Sequence, residues 1–250
     1  MKKIYAIAGA ITVAACATVT VPAVKDGLVE YYGSQKTIFD IGKAEARVPL
    51  AAMSGDAASF GVGAVAGLDG EITVFDGKPY VTKVRGSGYT MDNSQDHAAV
   101  FAVWTTNKEW RDEPVPADVK GYLDLQRYVK ARAAAAGIDV GKSFPFLLTG
   151  TPAEVKWHIN VDLTEGKPID NKLFAKSKAN YVMKNQPVDI IGFHSEKHPG
   201  VFISAYAPAI KEKDVKNTIH FHLVSKDGKA AGHIDDITMA GGMTLRLPKN

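Results

Sequence analysis

The chain has 250 residues, 46% of them hydrophobic and 23% charged, which are the proportions of a folded protein with a full core. Its net charge of +3 comes from lysines scattered along the chain, not gathered into a basic stripe with interleaved aromatics, so a nucleic-acid surface is excluded. The one cysteine, Cys16, leaves the rest of the chain without a disulfide and without a thiolate for a metal.

In chain order, Lys2 and Lys3 precede an apolar run from Ile4 to Ala15 that is too short to span a bilayer. Residues 1–16 are therefore read as a signal peptide, and the protein is expected to be exported, to the periplasm or beyond. Cys16 follows Val13-Ala14-Ala15, which resembles a bacterial lipobox and implies membrane attachment through a lipidated Cys16. The alternative is a plain secretory signal cut a little further on. Leu28–Tyr32 reads as a first strand, and Pro49 opens a short helix stopped by Gly55. Between Phe60 and Tyr80 two Asp-Gly pairs, 69–70 and 76–77, bracket an alternating apolar segment. This predicts a tight meander in which Glu71 starts a strand directly after a turn. The glycines before it match neither a dinucleotide fingerprint nor a phosphate loop.

Val100–Thr105 reads as another strand. Pro116-Ala117-Asp118 is read as the cap of a helix reaching about Ala136, with Tyr122, Leu125 and Val129 on its core face and Gly137 as its stop. Phe144–Leu148 and Val155–Ile159 are expected to pair around Gly150. Ile190–Phe193 and Val201–Ile203 continue a β-rich second half. The predicted class is α+β (mixed α/β): an N-terminal mixed β-sheet lobe with helices over 25–150, and a C-terminal antiparallel, barrel-like β lobe over 151–250 that holds the site.

That site is read from His220-Phe221-His222. On a strand, alternate side chains leave the same face, so two imidazoles point into one cavity while Phe221 and Leu223 point away. Asp227-Gly228 is a two-residue hairpin signal, and the returning strand carries Gly232-His233 back toward the same place. A His-x-His pair alone is commonplace in solvated strands. The turn and the third histidine are what make an open metal site the preferred reading. His194 and His198 are four apart but flanked by Pro199 and polar residues, so a loop is expected there. His97, beside Asp96, reads as a surface residue.

Gly61-Val62-Gly63, Leu68-Asp69-Gly70-Glu71, Asp76-Gly77-Lys78-Pro79-Tyr80 and the late His220-x-His222 with Gly232-His233 together resemble the α-acetolactate decarboxylases, from about Val29 to Ile237. The resemblance implies zinc on His220, His222 and His233, with Glu71 as an active-site carboxylate. It also implies a homodimer and the decarboxylation of 2-acetolactate, or a related small-molecule 2-hydroxy-3-oxo acid, to acetoin. Such a reaction needs an electron sink; zinc can serve where no pyridoxal or thiamine motif is present. The chain departs from the family pattern in three places. Ala64 stands where a threonine is usual, His158 where an arginine is usual, and the segment Leu245–Asn250 carries no glutamate. His158 is therefore expected to hold the substrate carboxylate or deliver a proton. The rival function is an exported zinc- or ligand-binding protein that kept the scaffold and lost the activity.

Overall fold

The computed structural model describes residues 21–197, 210–212 and 214–249. The signal segment with Cys16, the expected strand Val201–Ile203 and His198 lie outside the described residues. Among the described residues no helix is long and apolar enough to cross a membrane.

The first half of the chain runs β1 (Val24–Asp26), β2 (Val29–Tyr32), α1 (Gln35–Ile41), β3 (Val48–Pro49), β4 (Ser59–Val65), β5 (Glu71–Phe75), β6 (Lys78–Arg85), β7 (Gly88–Asp92) and β8 (Ala98–Thr106). The second half runs β9 (Trp110–Pro114), α2 (Tyr122–Ala135), β10 (Phe144–Gly150), β11 (Glu154–Asn160), α3 (Asn171–Lys176), β12 (Lys178–Lys184), β13 (Val188–His194), β14 (Ile219–Ser225), β15 (Ala231–Thr238) and β16 (Thr244–Pro248). Strands β1–β8 form one eight-stranded sheet in the order β1-β2-β8-β4-β5-β6-β7, with β3 alongside β8. Strands β9–β16 form a second in the order β12-β11-β15-β14-β13-β10-β16-β9. The change of sheet falls between β8 and β9.

The fold is thus the predominantly β, α+β arrangement expected, with two corrections. Every pairing in the N-terminal sheet is antiparallel, so it is not a mixed sheet. The C-terminal sheet ends on β12 and β9 and does not close into a barrel. Both of its faces are covered. Its outer face packs Phe146, Phe221, Trp157 and Leu223 against Leu125, Val129 and Ala133 of α2, while its inner face packs Leu147, Ile191 and Phe193 against Val62, Phe101 and Val103 of the first sheet. The outer face of the first sheet, with Ile72, Val74 and Val81, is covered by Val48, Leu50 and Met53.

Three local expectations also shift. Pro116 starts only a turn, and α2 begins later, at Tyr122 after Gly121. The segment after Pro49 is a single 3₁₀ turn, Leu50–Ala52. The strands β10 and β11 flanking Gly150 do not pair with each other: β15, β14 and β13 lie between them. Phe193 is fully buried between the sheets. Phe193→Ala should cost about 3–5 kcal/mol of unfolding free energy, read from urea denaturation followed by tryptophan fluorescence.

Candidate metal centre and active site

The alternation read from the sequence is present in β14. His220 and His222 point to the inner face, toward the first sheet, while Phe221 and Leu223 enter the core under α2. The helix fixes the start of this strand. Tyr122 donates its hydroxyl to the Ile219 carbonyl, and Gln126 bonds both the Lys216 carbonyl and the Thr218 amide. After the turn, with Gly228 at φ +69°, β15 returns in a register that sets His233 directly opposite His222. On its other side His233 is opposite His158 of β11, so three imidazoles form a row across adjacent strands. Gly232 is needed beside that row, because a Cβ there would lie 2.7 Å from the His158 carbonyl and 2.9 Å from the Trp157 ring.

Ring centroids of His220, His222 and His233 are 4.9–5.4 Å apart, and one ring nitrogen from each lies within 4.8 Å of those of the other two. His222 is fully buried; its Nδ1 meets the Thr73 hydroxyl at 3.0 Å, while its Nε2 has no hydrogen-bond partner. A buried, orphaned imidazole nitrogen whose opposite nitrogen is held by a hydroxyl is the arrangement of a metal ligand with its supporting shell. Burial holds the His222 and His233 rings well below the ordinary imidazole range, and the neighbouring imidazoles push the same way, so both are neutral and able to ligate. The donor set fits zinc or a similar borderline cation.

The first sheet contributes Glu71. It heads β5, opposite Ala64 of β4 and Thr82 of β6. Asp69 is gripped by Arg85 through two bonds of 2.8 and 2.9 Å, with Lys83 at 3.2 Å, and this pins the turn. Gly70 then takes φ +131°, where a Cβ would collide with the Thr82 carbonyl. Glu71 is thereby aimed across the gap between the sheets: its Oε1 is 3.6 Å from His158 Nε2 and its Oε2 is 3.8 Å from His222 Nε2. At 3% exposed, its carboxyl is raised well above the ordinary range by burial, with Asp235 adding and Lys178 and the Asn160 backbone opposing.

All five residues named from the sequence therefore come together: His220, His222, His233, Glu71 and His158. Ala64 lines the same pocket, as do Phe101, Asn160 and Phe174. The free room is about 20 Å³, that of one water, so a larger ligand enters only if lining side chains shift. His97 stands apart, bonded to Asp92 at 2.7 Å, and His194 ends β13 with its ring stacked on Phe144.

Three further residues were not singled out by the sequence. Asp235 is the extra residue of a bulge in β15, between Ile234 paired to Trp157 and Asp236 paired to Lys156. It accepts from His158 Nδ1 at 2.7 Å. Lys178, on β12, lines the pocket and reaches Asp235 at 3.5 Å. Thr73 supports His222. Burial lowers the His158 pKa in spite of Asp235, so the ring is neutral, with its proton on Nδ1 and its Nε2 lone pair facing Glu71. Lys156, next but one in sequence, turns outward to Asp236.

The family model described as "Alpha-acetolactate decarboxylase" matches residues 42–147, a stretch that contains Glu71 and stops before β14. Over these residues the chain is similar to the alpha-acetolactate decarboxylases. The alpha-acetolactate decarboxylase of Bacillus subtilis strain 168 has the same fold, with a TM-score of 0.65 at 17% identity, over 88% of this chain and 85% of that one. A Staphylococcus aureus protein of unknown function, similar to alpha-acetolactate decarboxylase, gives 0.66 at 14% identity over 88% and 84%. The acetolactate decarboxylase of Bacillus subtilis subspecies spizizenii gives 0.64 at 18% identity over 88% and 85%. Among curated proteins none matches the chain.

Proposed function

We propose that this chain decarboxylates 2-acetolactate, or a closely related 2-hydroxy-3-oxo acid, to acetoin, with zinc held by His220, His222 and His233. The observation that carries the reading is the meeting of three mutually close imidazoles from one sheet with a buried carboxyl, Glu71, from the other. A zinc ion bound there supplies Lewis-acid polarisation of the substrate's ketone and hydroxyl oxygens, which no side chain of the pocket can match.

The remaining work falls to protein groups. Loss of carbon dioxide breaks the bond from the carboxylate to the 2-carbon and leaves its electron pair on the substrate, so the product needs one proton at that carbon. Glu71, whose burial favours the protonated form, is positioned to hold and give it. His158, neutral and bonded through Nδ1 to Asp235, presents its Nε2 lone pair to Glu71, where it can accept from the protonated carboxyl and orient it. The apolar floor of Phe101 and Phe174 limits water at the reacting carbon.

The test is direct: purified chain incubated with racemic acetolactate and assayed for acetoin. Zinc retained with no acetoin would favour the binding-protein alternative. Within the decarboxylase reading, Asp235→Asn should leave metal content unchanged and lower kcat by about 10- to 100-fold, because His158 loses the carboxylate that orients it. Metal analysis and steady-state kinetics on the same preparation check both halves.

A further inference from the structure

We propose that Lys178 is the specificity-determining residue of this pocket, the cation that selects a ligand bearing a carboxylate over the same ligand without one. The proposal rests on the decarboxylase reading for the identity of the acid and extends it to a residue outside the set expected from the sequence.

Its first support is position. In the pairing of β11 with β12, His158 is opposite Asn180 and Asn160 is opposite Lys178. Lys178 thus shares the inner face with His158, one pair further along, and lines the pocket with Glu71, His220 and His233. Its side chain is only 11% exposed. Its second support is charge. Among the described residues that line the pocket, Lys178 alone carries an ammonium or guanidinium; the others are one carboxyl, three imidazoles and uncharged groups. His158 stands where a cation would be expected, but its Nδ1 is committed to Asp235 at 2.7 Å and it offers no bidentate fork.

The third support is the way Lys178 is held. Among the described residues its one ion-pair partner, Asp235, is 3.5 Å away and already bonded more tightly to His158. An ammonium has three donors, and a single long contact leaves two for an incoming carboxylate. Asp235 parks the cation beside the pocket without neutralising it fully. The substrate acid carries a carboxylate, whereas the hydroxyketone left after decarboxylation carries none. A cation at this place therefore holds the small 2-hydroxy acid and releases the neutral product.

The test uses the full chain loaded with zinc and two probes that cannot lose carbon dioxide by this route. One is 2,3-dihydroxy-2-methylbutanoate and the other is its carboxylate-free counterpart, butane-2,3-diol. Calorimetric titration of the parent should show preference for the acid. Lys178→Met should weaken acid binding by about 10- to 100-fold with no comparable change for the diol and no loss of zinc, and Lys178→Arg should restore most of the acid affinity. Should the Met variant fold poorly, Lys178→Gln carries the same comparison. A parent with no preference for the acid, a Met or Gln variant within about twofold of the parent, or equal losses for acid and diol would each overturn the proposal. Failure of the decarboxylase reading looks different: the parent binds the acid in a Lys178-dependent way but forms no acetoin from acetolactate.

Discussion

His222→Ala should remove bound metal and acetoin formation together. His222 is the most enclosed member of the three-imidazole set, with Nδ1 held by Thr73 and Nε2 turned into the site without a partner. Alanine leaves His220 and His233 as two ligands on different strands, too few to fill a tetrahedral shell from the protein side. Metal content should fall from about one ion per chain to a trace. The rate should fall by about 10³-fold or more, since Lewis-acid stabilisation supplies several kcal/mol and each 1.36 kcal/mol is a factor of ten. His97→Ala, at a partly buried histidine that lies away from the pocket and bonds Asp92, is the control and should change neither quantity. Elemental analysis and the acetoin assay on the same protein read both effects.

The second large effect is expected at Glu71. Glu71→Gln keeps the shape of a side chain enclosed by Gly63, Ala64, His158 and Asn160 but removes its transferable proton. The expected result is full metal content with kcat lowered by about 10²- to 10⁴-fold, the usual contribution of a placed general acid or base. Thermal stability should hold or rise, because the variant no longer buries an ionisable carboxyl beside Asp235. Loss of metal with the activity would instead make Glu71 a ligand. The opposite phenotypes, metal lost at His222 and metal kept at Glu71, separate the roles of the two residues.

How much of this could be read from residues alone follows from the range of the interactions. The His220–His233 hairpin was legible because strand alternation and an Asp-Gly turn are local, and together they fix which side chains share a face. Glu71 was legible for a similar reason: Leu68-Asp69-Gly70-Glu71 is one turn and the start of one strand. The partners of these segments were not. β10 and β11 look like a hairpin in sequence, but their edges are taken by β13, β16, β12 and β15, and nothing local states which distant strand will arrive. Asp235 is two residues from His233, so simple alternation puts it on the right face, yet its bond to His158 depends on a bulge that appears only once β15 is laid against β11. Lys178 and Thr73 reach the site from other strands through registers with no sequence signature. The switch of sheets between β8 and β9 likewise reflects long-range pairing.

The measurement that bears most directly on this chemistry is acetoin release from racemic acetolactate by one purified sample followed through three states: as isolated, stripped of metal by a chelator, and resupplied with zinc. Turnover should be present, then lost, then restored in proportion to zinc bound at about one ion per chain. A stripped chain that still works at its original rate, or a fully reloaded chain that releases no acetoin, would contradict it.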